Sequence, residues 1–130
     1  MPSIAPSLKL LRKAPAMKIA IASQNWQTIT NHPGKTGRFR IFEAHHGQLP
    51  TELPRLDLPK DLFLHNFAGT DSHPLFAMDV IIAGTAGDGF IRRLASQGVR
   101  VMTTAEKDPL TAITHFFAGT LPPGAPHDHA

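Results

Sequence analysis

The stretch D-V-I-I-A-G-T-A-G-D-G-F-I-R-R-L-A-S-Q-G-V-R-V, from Asp79 to Val101, constrains the fold more than any other part of this 130-residue chain. It opens with a continuous apolar run, as a central strand covered on both faces requires. A glycine turn follows, and Asp88 stands where a helix N-cap is wanted. Phe90, Ile91 and Leu94 then share one apolar helical face, and Gly98 supplies the left-handed stop. Val99 to Thr103 reads as the next strand. Two strands joined by so short a helical link should lie parallel, with a right-handed crossover. The chain therefore needs a sheet with helices packed on it.

The flanking segments add to that unit. Lys18 to Ser23 (K-I-A-I-A-S) reads as a buried first strand, followed by a loop rich in Asn, Thr, Gly and Pro up to Gly37. Arg38 to Ala44 is a second strand, with Phe39 and Ile41 on one face and Arg38 and Arg40 on the other. The short link through His45, His46 and Gly47 calls for an antiparallel hairpin. Glu52 to Leu58 makes a third strand that Pro54 confines to a sheet edge. Pro59 to Ser72 shows turn residues and no clear period, and Ser72 to Met78 reads as a short helix. Asp108 and Pro109 pair a cap with a first turn, so Leu110, Ile113 and Phe117 should line the buried face of a last helix ending at Gly119. The boundaries that follow are a flexible leader over 1–16, one domain over 17–121, and a flexible tail over 122–130.

Composition excludes several function classes. The chain has no cysteine, so disulfides and thiolate ligands are ruled out. Its formal charge of +3 comes from Lys9, Arg12 and Lys13 in a leader without acids. From Met17 onward ten Lys/Arg face ten Asp/Glu, so no basic groove for nucleic acid is indicated. No apolar run reaches the length of a membrane span. Lys9, Arg12 and Lys13 break the leader where a secretory signal needs an apolar stretch, which points to a cytoplasmic protein. Ile4, Leu8 and Leu11 do share a helical face.

Two groups of segments carry a family likeness. The first is K-I-A-I-A-S, then His32-Pro33-Gly34-Lys35 and Phe39-Arg40-Ile41-Phe42; the second runs from Asp79 to Gly119. Together they resemble the dinitrogenase iron–molybdenum cofactor biosynthesis family, of the NifX-like type. Pro33 stands where Phe is usual in that family, and Lys35 where Arg is common. The resemblance implies a ribonuclease-H-like three-layer α/β fold with a five-stranded mixed sheet. It also implies a non-catalytic binder or carrier of iron–molybdenum cofactor or a precursor iron–sulfur cluster. Nitrogenase-assembly or other metallocluster proteins would be its partners, and the chain itself would be a monomer or weak homodimer.

Ligands of open α/β sheets bind beyond the carboxyl ends of parallel strands. That edge should collect Ser23 and Gln24, Gly84 to Gly87, and Thr103 to Glu106. The Asn31-to-Lys35 loop enters the antiparallel second strand and so reaches the same edge, placing His32 opposite the glycine turn. Imidazole suits iron and similar metals, and Gly34, Gly84 and Gly87 would let the backbone approach a bulky cofactor. Lys35 and the amides at the following helix start complement an anionic cluster. The plain alternative for His32 is a turn cap. His65 and His73, near Asp71, are further metal candidates if they join His32, and two exposed side chains otherwise. His45 and His46 point to opposite faces of an extended chain, and His127-Asp128-His129 is a loose metal hook at most. His115 belongs on the outer side of the last helix, and Met102 in the core.

Other chemistries fit poorly. G-x-x-G-x-G at Gly84 to Gly89 is not the dinucleotide pattern, and close helix–strand packing accounts for it better. Two-metal nuclease chemistry needs carboxylates clustered on strands; the first strand has none, and Asp79 opens its strand at the wrong end. No Ser–His–Asp or Cys–His set is evident. A module of the same fold that binds a partner protein and no cluster is the competing reading.

Overall fold

The computed structural model describes residues 16–68 and 72–124. Almost all of the leader, the six C-terminal residues with their His127–His129 hook, and Asp71 lie outside the described residues. Five strands form one sheet: β1 (Met17–Ala22), β2 (Arg38–Ala44), β3 (Thr51–Asp57), β4 (Val80–Ala83) and β5 (Arg100–Thr103). Their order is β3-β2-β1-β4-β5. β1 is antiparallel to β2, β2 antiparallel to β3, and β1, β4 and β5 are mutually parallel. Only β2 is reversed, which is the mixed ribonuclease-H-like arrangement that the family resemblance implies.

Two helices, α1 (Asp88–Ser96) and α2 (Pro109–Ala118), cover opposite faces. Period-2 alternation in β1 and β4 sorts the core between them. Ala20, Ala22, Ile81 and Ala83 point to the layer of Leu94 from α1, together with Phe39 and Ile41 of β2. Ile19, Ile21, Val80 and Ile82 point to the layer of Ala112 and Ile113 from α2, together with Phe42. Each large side chain buried in this way stabilises the fold by roughly 1.5–3 kcal/mol. The small alanines on the α1 side leave room for a third group of side chains. Leu64 and Leu75, with Phe63, Phe67 and Phe76 around them, fill it from the segment after β3.

Pro54 does sit on the outermost strand. Phe39 pairs with Leu56 but Ile41 with Leu53, so Pro54 and Arg55 bulge opposite Arg40. The bulge re-aims Arg55, and Glu52 holds both Arg40 (2.8 and 3.0 Å) and Arg55 (3.1 Å).

Three readings need correction. The N-cap of α1 is Gly87, with Asp88 as the first helical residue. The expected helix over 72–78 is a 3-10 turn at Pro74–Ala77. Leu110 is 48% exposed: the buried face of α2 runs through Pro109, Ala112 and Ile113, one position out of phase with it. Gly119 ends α2 at φ 74°. Pro123 pairs with Thr104 and accepts from the Ala105 N–H at 3.2 Å.

Asp108 caps α2 by accepting from the Thr111 backbone N–H and hydroxyl, both at 2.8 Å. Those bonds hold its carboxyl below the usual 3.8, as Arg40 and then Arg55 hold Glu52 below 4.5. A lowered folded-state pKa adds stability above the unfolded value and loses it as pH falls through the folded one. Urea stability should therefore decline below about pH 5. Asp108→Asn, which keeps the cap but loses the charge, should flatten that acid limb.

Candidate functional site

The carboxyl ends of β1, β3, β4 and β5 and the amino end of β2 meet at one sheet edge. The loop leaving β1 is pinned to this edge by backbone bonds. Thr30 N–H donates to the Ala22 carbonyl at 2.8 Å, Gly84 N–H to the Thr30 carbonyl at 3.0 Å, and Ile29 N–H to the Lys107 carbonyl at 2.9 Å. Ile29 is buried beneath it. Upstream, the guanidinium groups of Arg38 and Arg55 both lie over the Trp26 ring, at 5.3 and 5.2 Å. Asn25 Oδ1 accepts from the Gln27 and Thr28 amides at 2.9 Å, and Thr36 bonds to Gln24.

Held at both ends, the loop reverses at His32, which adopts φ 56°, ψ 62°. A left-handed backbone at a residue other than glycine costs roughly 1–2 kcal/mol. Lys35 N–H closes the turn on the His32 carbonyl at 2.9 Å, yet the imidazole makes no capping bond. His32 thus caps the turn Pro33–Lys35 through its backbone, and its side chain takes no part in the capping.

His32, Gly34, Lys35, His65, Gly87 and Phe90 line an open hollow of ≈ 280 Å³. His65 arrives there because β3 ends at the same edge and is followed by the short turn Leu64–Asn66. A second hollow of ≈ 250 Å³ shares Gly34, His65 and Phe90 and continues to Leu64, Gly89 and Arg93. The two make one trough between the His32 turn, the segment after β3, and the first turn of α1. A Cβ at Gly34 would come within 3.1 Å of the Phe90 ring. No carboxylate among the described residues lines either half. Gly87, the N-cap of α1, offers no side chain to its amides. The trough thus joins an imidazole pair, an ammonium and a positive helix end.

His73 and Gly84 lie apart from this lining. The His73 ring is 4% exposed. Its Nε2 meets the Leu62 carbonyl at 2.7 Å and its Nδ1 accepts from the Leu75 N–H at 3.0 Å. With both nitrogens engaged, this ring organises the 3-10 turn behind the trough and is not placed to ligate a metal beside His32. Gly84 is buried, and a Cβ there would overlap Asn31 Oδ1, so its role is close approach of the loop. His46 rests edge-on against Phe117, 5.9 Å between rings, at the far edge of the sheet. His115 Nδ1 meets the Thr120 hydroxyl at 2.7 Å. Arg93 escaped the sequence reading, since a basic residue on a helix face usually means solvent. Its position one turn after Phe90 was the available signal.

The α/β fold of this chain is shared with solved structures. The crystal structure of PH0822 superposes with a TM-score of 0.62 at 19% identity, over 86% of this chain and 97% of that one. The MJ0327 protein of Methanocaldococcus jannaschii gives 0.56 in its crystal form, at 15% identity over 82% and 93%. Its solution structure gives 0.59, at 14% over 85% and 95%. At these identities the likeness concerns the fold. No curated protein sequence matches the chain closely enough to count as a relative. The family described as Dinitrogenase iron-molybdenum cofactor matches residues 15–119, and this chain belongs to it. No helix among the described residues is long and apolar enough to cross a membrane.

Proposed function

We propose that the chain binds iron–molybdenum cofactor, or a related metal–sulfur cluster, as cargo and passes it to nitrogenase-assembly or other metallocluster proteins. One observation carries this reading. In a chain of this family, a histidine held in a strained left-handed turn lines, with its imidazole uncapped, a trough whose described lining residues include no carboxylate. Backbone strain that the surroundings maintain is common at ligand clamps. His32 would supply a nitrogen ligand to one metal of the cluster, with His65 within the same hollow as a second. Lys35 would offset the charge of an anionic cluster, and Gly34 and Gly87 would admit its bulk. A site with imidazoles and no thiolate suits cargo that must leave again. No catalytic step is needed.

Anaerobic titration with isolated iron–molybdenum cofactor, or with a simpler iron–sulfur cluster, tests the proposal by absorption and paramagnetic spectra. The expected result is saturable binding that His32→Ala reduces by roughly tenfold or more, the loss of one metal-ligand contact. The second reading, a partner-binding module that carries no cluster, draws on a different observation. Among the described residues no three His, Asp or Glu side chains converge, and Pro33 stiffens the turn beside His32. An unchanged spectrum at every cluster concentration would select it.

A further inference from the structure

The described lining of the trough offers a metal two imidazoles and then stops. His32 and His65 are exposed side chains, and neither half of the trough has a carboxylate among its described lining residues. Two ligands hold a first-row transition ion poorly, since such ions take four or more. The chain has eight histidines and no cysteine, so further nitrogen ligands come from a short list. His73 has both ring nitrogens engaged, and His115 is bonded to the Thr120 hydroxyl. His45 and His46 line a different hollow, beside Phe117. His127 and His129 are left. The structure shows where their segment starts. The Pro123 carbonyl accepts from the Ala105 N–H at 3.2 Å. A Cβ at Gly124 would lie 2.6 Å from the Gly84 carbonyl oxygen and 2.9 Å from the Thr104 nitrogen. Gly124 is thus pressed onto the carboxyl ends of β4 and β5, at the edge that bears the trough. Gly84 is packed as closely against Asn31, the residue before His32. From Gly124, three extended residues span about 10 Å to position 127, and five span about 17 Å to position 129. That is enough to pass Gly84 and bring both rings to the His32 end.

We infer that the segment His127-Asp128-His129 closes over the trough and completes, with His32 and His65, a four-imidazole site for a transition-metal ion. This deepens the cargo reading and rests on the trough being the cargo site. An extended His-x-His stretch puts both rings on one side, so a single segment delivers two ligands together. Charge favours the closure as well. Lys35 and the amino end of α1 make the trough positive, and Asp128 brings the carboxylate that the described lining lacks.

The test needs no cluster. The full chain, labelled with nitrogen-15, is titrated with cobalt(II), and binding is followed by visible absorption and by paramagnetic loss of amide signals. The expected result is a single ion per chain with the absorption of a four-coordinate nitrogen site. Signal loss should centre on Gly34 and Gly87, which border the imidazoles. Substituting His127→Ala and His129→Ala together should weaken binding by roughly tenfold or more, with the urea midpoint of the wild type. His32→Ala should weaken it likewise, because both ends serve the same ion. Two ions per chain, an affinity that falls with only one of these changes, or no cobalt binding overturns the inference. Equal uptake of iron–molybdenum cofactor by the wild type and the tail variant overturns the closure alone. A chain that holds cobalt through His32 and the tail together but takes up no cluster overturns the cargo reading alone.

Discussion

Replacing Gly37 by alanine should destabilise the domain by about 3 kcal/mol or more, the upper range for forcing atoms into a packed interior. Gly37 is buried just before β2. A methyl carbon there would overlap the Leu58 carbonyl oxygen, and would lie 2.6 Å from Phe63 Cε1 and 3.1 Å from the Leu58 nitrogen. A flexible side chain moves aside cheaply, but two of these three atoms are backbone. The obvious escape, separating residues 37 and 58, breaks the bond from the Leu58 N–H to the Gly37 carbonyl at 2.9 Å. It also pulls apart the two segments that deliver His32 and His65. Urea denaturation should show the loss as a lower midpoint with an unchanged slope. Gly89→Ala is the control: space is open there, and exchanging glycine for alanine in a helix adds up to about 1 kcal/mol. A Gly37→Ala midpoint within error of the wild type would show that the close approach is not real.

The second large effect separates the histidines. His73→Ala should lower stability by about 3 kcal/mol, combining a buried N–H left unpaired with lost ring contacts. The amide at risk is that of Leu75, which is fully buried. The contacts are with Phe67 at 4.8 Å and Phe76 at 5.5 Å. The bonding pattern implies a neutral ring that donates from Nε2 and accepts at Nδ1. His73→Asn should recover part of the loss, because an asparagine side chain also caps the amide two residues on. His65→Ala, at an exposed ring, should move the midpoint by no more than about 0.5 kcal/mol. Equal losses at both positions would contradict the division of roles drawn from the geometry.

Local signals were strong where residue type and spacing have one cheap solution. The all-apolar Val80–Ala83, the cap-plus-proline at Asp108 and Pro109, and the left-handed glycines at 98 and 119 are of that kind. So is Pro54 at the edge. Phase was harder to read: Leu110 is as apolar as Ile113, and only packing against the sheet decides which of them is covered. The segment from Pro59 to Met78 was opaque for another reason. Its described residues form three short 3-10 turns, which have too few residues for a hydrophobic period to emerge. Its phenylalanines and leucines announce burial without saying against what.

From residue order alone came the strand–helix–strand unit and the reversed hairpin, which depend on neighbours a few positions apart, where chain geometry leaves few options. The lack of cysteine and the family likeness were equally legible there, and His32 was singled out as a candidate through that likeness. The trough depended on tertiary structure. His32 and His65 are far apart in sequence, and they share a hollow because β3 runs parallel to β1 and so ends where the β1–β2 loop lies. That same packing turned the His73 ring away from the hollow into a pair of backbone bonds and brought Arg93 in. Which side chains border a site at a sheet edge is set by strand order and direction, and these minimise the free energy of the whole core rather than of any one segment.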